Sequence, residues 1–93
     1  MASLLIVTND LNGIFHFTKK LTYTLDLEKK QKLWLRERQE IPESEHPTIE
    51  AAFVECLQFL VAIKNDENAQ QNFDIFERKV ETLVETINSK KEQ

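Results

Sequence analysis

From Phe15 to Leu27 every odd position except Lys19 is apolar: Phe15, Phe17, Leu21, Tyr23, Leu25 and Leu27. The even positions between them are His16, Thr18, Lys20, Thr22, Thr24 and Asp26. A period of two is the pattern of a half-buried strand, with one face on a core and the other in water. From Lys32 to Gln39 the alternation returns, with Leu33 and Leu35 on one side and Trp34, Arg36 and Arg38 on the other. A chain with this pattern is expected to build its core on an antiparallel sheet.

Four strands follow from that reading. The first, Ser3 to Leu11, pairs with the second, Ile14 to Thr18, across Asn12-Gly13, two residues that tolerate the positive φ of a type I′ hairpin. Lys19 and Lys20 break the alternation and mark a bend, a bulge or a short connection between strands. The third strand, Leu21 to Leu27, meets the polar turn Glu28-Lys29-Lys30-Gln31 and then the fourth, Lys32 to Gln39.

Residues 40–47 hold both prolines, Pro42 and Pro47, and form the link from sheet to helices. Beyond it the period changes. Ile49, Ala52, Phe53, Cys56, Leu57, Leu60 and Ile63 recur at spacings of three and four, which predicts a helix from Pro47 to Lys64. Val54, Phe59 and Val61 widen its apolar face and make it the central helix. Asn68, followed by Gln71, opens a second helix whose seam is Ala69, Phe73, Phe76, Val80, Leu83 and Ile87. The end of the chain, Lys90-Lys91-Glu92-Gln93, has no apolar anchor and is expected to fray.

The sequence thus predicts one α+β domain over residues 1–93: a four-stranded antiparallel β-meander (1–39), a linker (40–47), two antiparallel helices packed on one sheet face (48–90) and a tail (91–93). The expected core is Leu5, Val7, Phe15, Phe17, Leu21, Tyr23, Leu25, Leu33, Leu35, Ile49, Phe53, Cys56, Leu57, Leu60, Phe73, Phe76, Val80 and Leu83. Ninety-three residues bury only a little over half of their unfolded surface, which leaves no room for a second domain. No apolar run is long enough for an export signal or a membrane span, and a single cysteine, Cys56, forms no internal disulfide. A cytoplasmic protein with no membrane partner is the expectation.

Charge divides the chain. Residues 1–39 carry seven basic side chains against four acidic ones, a balance of +3, whereas residues 40–93 carry five against twelve, a balance of −7. The basic excess coincides with the alternating stretch. If its even positions share the outer sheet face, they present His16, Lys20, Thr22, Thr24, Lys32, Trp34, Arg36 and Arg38 together, with Trp34 ringed by cations as at an interface hot spot.

Three functions are weighed on these residues. The preferred one is a small non-catalytic interaction module, regulatory or inhibitory, that binds a protein partner or associates with a second copy through the outer sheet face. The same basic face around Trp34 also suits single-stranded nucleic acid, with the indole stacking on a base. A small enzyme comes third, since no phosphate loop, Cys-x-x-Cys, zinc-binding or nucleophile-elbow motif is present. His16, His46 and Cys56 lack metal-ligand spacing, and no cofactor is expected. An acidic helical surface of Glu50, Glu55, Asp74, Glu77, Glu81 and Glu85 could face a basic partner or imitate nucleic acid. The competing reading is simply solvated faces.

Overall fold

The computed structural model describes residues 11–91, and among them there is no strand. The stretch read as strands two to four is one helix, α1 (Leu11–Glu37). Two 3₁₀ turns, Arg38–Glu40 and Glu43–Glu45, lead into α2 (His46–Ala62), and α3 (Ala69–Lys91) completes the chain. The α+β meander is therefore replaced by a three-helix arrangement, and residues 1–39 are not a sheet half. The first expected strand, with Leu5 and Val7, lies outside the described residues except for Leu11.

The chemistry of α1 explains the correction. Between Leu11 and Glu37 there is one glycine and no proline, and from Leu25 onward the chain is mostly Leu, Glu, Lys, Gln and Arg, all strong helix formers. The threonines that suggested strands fold back onto the helix instead. Thr18, Thr22 and Thr24 donate to the carbonyls of Ile14, Thr18 and Lys20 at 2.9, 2.9 and 2.7 Å. The expected turn at Glu28–Gln31 is bridged by an i,i+4 pair, Asp26 with Lys30 at 2.9 Å, which favours continuous helix. No described residue has positive φ, so Asn12-Gly13 does not form the type I′ turn.

At 27 residues α1 is about 40 Å long, within a molecule whose greatest extent is 54 Å. Its inner face runs His16, Lys20, Tyr23, Leu27, Lys30, Trp34, at alternating spacings of four and three. His16, Leu27 and Trp34 are buried, while Lys20, Tyr23 and Lys30 are half-buried. Long lysine stems can lie along apolar surface with their charged ends in water, which lets them occupy such a seam. Apart from Tyr23 and Leu27, the apolar odd-position residues point elsewhere. Phe15, Phe17, Leu21, Leu25, Leu33 and Leu35, all expected in the core, are exposed.

The C-terminal helices lie where their periodicity predicts. Pro47 sits in the first turn of α2, where its missing N–H leaves no bond unmade. α2 buries Ile49, Phe53, Cys56 and Leu60, and α3 buries Phe73, Phe76, Val80, Leu83 and Ile87. Leu57, expected in the core, is exposed instead. The turn between them is organised by Asp66, whose Oδ1 accepts from the Asn68 N–H at 2.9 Å and whose carbonyl accepts from the Ala69 N–H at 3.1 Å.

α2 packs against both neighbours and runs antiparallel to them. α1 and α3 run parallel: Tyr23 meets Phe73 and Phe76 with ring centroids 5.3 and 5.4 Å apart, and Glu37 meets Lys91 at 3.1 Å. Lys90 also lies 3.7 Å from Glu45. The expectation that Lys90 and Lys91 fray is thus corrected: α3 reaches Lys91, and both lysines lie against carboxylates of the α1–α2 connection. Such half-exposed pairs contribute about 0–1 kcal/mol each.

Trp34, 2% exposed, closes the core at this end. Its ring meets His46 edge-on at 5.2 Å, and His46 Nε2–H donates to the carbonyls of Arg38 and Ile41 at 2.9 and 3.0 Å. Ile41, buried and extended before Pro42, ends the first 3₁₀ turn. Replacing Trp34 with Ala is expected to lower the unfolding free energy by about 3–5 kcal/mol, whereas Leu33→Ala changes it by less than about 0.5 kcal/mol. Urea unfolding followed by circular dichroism measures both; a sheet core would give Leu33 the large loss.

Candidate functional site

The residues selected as an outer sheet face do not form one surface, because successive helical residues turn by about 100°. Lys20 is half-buried on the inner seam. The Thr22 and Thr24 hydroxyls are bonded to their own helix. His16 is buried, its Nε2–H donating to the Ile63 carbonyl at 3.3 Å. Trp34 is in the core and offers no face for stacking. Lys32 and Arg36 remain exposed one turn apart on α1, and Arg38, in the first 3₁₀ turn, lies 3.8 Å from Glu50.

The nucleophile and acid–base candidates are also separated. Cys56 lies on the floor of an open groove of about 440 Å³ between α2 and α3, beside Ala52, Lys79 and Thr82. His16 lines a different groove, of about 550 Å³, with Asp66, Gln70 and Phe73 at the other side of the molecule. Burial pushes the Cys56 thiol up, Glu55 adds to this, and Lys79 opposes it. A thiol raised in this way is mostly protonated and weakly nucleophilic at neutral pH. Among the described residues no three His, Cys, Asp or Glu side chains gather in a way that could hold a metal ion.

The groove between α1 and α3 holds the other perturbed group. Tyr23 is pushed up to about 12, chiefly by burial, then by its hydrogen bond to Glu77 and the negative charges of Glu77 and Asp74. The neutral phenol donates to the Glu77 carboxylate and is held neutral by it. Beside it Lys19 Nζ stands 5.3, 6.0 and 5.4 Å from the ring centres of Phe15, Tyr23 and Phe73, and donates to Gln70 Oε1 at 3.0 Å. These groups tie α1 to α3.

What the fold does bring together is apolar. On α1, Phe17, Leu21 and Leu25 repeat every four residues and are 68, 49 and 49% exposed. On α2, Val54, Leu57 and Val61 repeat at three and four and are 53, 43 and 67% exposed. Of these, Val54 and Leu57 line a groove of about 150 Å³ between the two helices, whose α1 wall is Thr24, Leu27, Glu28 and Gln31. Six such side chains expose on the order of 600 Å², at the upper end of what a monomer's largest apolar patch covers. The spacing of Ile14, Phe17, Leu21 and Leu25 carries this stripe in the sequence, but the period of two masks it.

Comparison with protein-family models, with curated proteins and with solved structures finds no match for this chain. Among the described residues no helix is long and apolar enough to cross a membrane.

Tyr23 is the single tyrosine, so its ionisation can be followed alone by ultraviolet absorbance. Its midpoint is expected near 12, and Glu77→Gln is expected to bring it down toward 10. Because the folded value lies above the unfolded one, the associated stability is fully present below pH 10 and is lost as pH rises toward 12. An ordinary midpoint in the intact protein would remove the Tyr23–Glu77 bond.

Proposed function

We propose that this protein is a non-catalytic helical interaction module that docks a protein surface on the exposed face of α1 and α2. One observation carries the reading: rows of large apolar side chains on two packed helices, Phe17, Leu21 and Leu25 on α1 and Val54, Leu57 and Val61 on α2, stand in water, with Val54 and Leu57 lining the groove between the helices. Scattered surface apolar residues are ordinary, but a contiguous patch of this size marks an interaction site. The titratable groups support the same reading. Tyr23 and Cys56 are both shifted toward their neutral forms, and Tyr23 and His16 are hydrogen-bonded between helices.

A photo-crosslinking side chain in place of Leu57 is expected to form adducts with protein, and the same group in place of Glu81, exposed on α3, to form few. Adding Leu21→Glu to the Leu57 probe protein should remove the adducts without loss of helical circular dichroism. Equal labelling from both positions would reject this face as the binding surface.

A further inference from the structure

The exposed side of α1 has a more specific pattern than an apolar patch. Leu21, Leu25, Glu28, Lys32 and Leu35 are all exposed and follow one another at four, three, four and three residues. That is the 3.5-residue repeat of a helix that packs against another helix, knobs into holes. The inner face of α1 has the same spacing, from His16 to Trp34, and is covered by α2 and α3. α1 therefore has two helix-packing seams on different sides, and the fold covers one.

The order of residues in the open seam identifies what covers it. Reading outward from the turn between Glu28 and Lys32, the spacing is symmetric, with leucine at both ends and opposite charges inside. A second α1 laid antiparallel about this centre sets Glu28 against the other copy's Lys32, Lys32 against its Glu28, and Leu25 and Leu35 against its Leu35 and Leu25. Both charges are then matched twice by one operation, the two-fold axis of an isologous dimer. A uniformly acidic or basic partner helix would pair one of these charges and repel the other.

Resting on the interaction module proposed above, we infer that the partner on this face is a second copy of this chain, joined through antiparallel α1 helices with Glu28 and Lys32 setting the register. The seam leucines Leu21, Leu25 and Leu35 are 49, 49 and 51% exposed and supply the apolar contact of this interface. A polar pair within an otherwise apolar seam selects one alignment at some cost in stability.

Sedimentation equilibrium of the full chain is expected to give a concentration-dependent dimer. Leu25→Glu and Glu28→Lys should each raise its Kd by about tenfold or more, with unchanged helical circular dichroism because both positions are exposed. Glu28→Lys combined with Lys32→Glu in one chain restores both pairings and should recover the dimer. Mixing the Glu28→Lys protein with the Lys32→Glu protein should give a heterodimer at concentrations where each alone is monomeric. A monomer at every concentration overturns the inference; if Leu57 still crosslinks foreign protein, the interaction module survives with another partner. A double reversal as weak as Glu28→Lys alone overturns the antiparallel pairing. A monomer in which Leu25→Glu unfolds the protein also overturns it, since the face is then covered by the chain itself.

Discussion

Burial of the Trp34 indole at the turn between α1 and α2 is the contact on which the remaining structure depends. The inner face of α1 is sparse in large apolar groups: of six seam positions, two are lysines and one is histidine. Leu27 and Trp34 are its large buried anchors. Trp34 also draws in His46, whose two bonds to backbone carbonyls hold the 3₁₀ turns that reverse the chain. With that corner set, α2 returns along α1, α3 lies across both, and Lys90 and Lys91 reach the carboxylates of the same connection. The residues that first suggest nucleic-acid or partner binding, Trp34 and His16, belong to the frame itself.

The distribution of apolar groups on α1 joins stability to function. A soluble helix that packs on one side ordinarily has one apolar stripe. Here the covered stripe is the more polar of the two, and the stripe richer in leucine and phenylalanine faces water with α2's Val54, Leu57 and Val61. A bundle that gains so little from α1's inner seam has more to gain from covering the outer one. In the dimer proposed above, association through this face and the integrity of α1 are coupled, since a partner helix adds apolar contact to α1.

Side-chain chemistry is directed to structure throughout. Thr18, Thr22, Thr24 and Thr86 bond their own helices, His16 joins α1 to the end of α2, and Tyr23 and Lys19 join α1 to α3. Among the described residues, Tyr23 and Cys56 are displaced toward the neutral form, chiefly by burial.

The amino-acid order alone determined α2 and α3 almost to their ends, because a single stripe at 3.6 residues per turn faces one core and Pro47 marks the entry. It also determined where the punctuation lies: Pro42 and Pro47 bound the reversal between α1 and α2. The state of residues 11–37 was not legible in the same way. Phe15, Phe17, Leu21, Leu25, Leu33 and Leu35 alternate as a strand does, yet the same stretch contains two interleaved 3.5-residue seams, and local pattern does not choose between them. Tertiary packing chose, because a helix places His16, Leu27 and Trp34 on one line toward α2 and α3, whereas strands would scatter them over both faces. The same choice moved the proposed binding surface from the basic even positions to the apolar residues exposed on α1 and α2. A face whose residues come from two helices, such as Leu21 of α1 and Val61 of α2, exists only once the helices are packed.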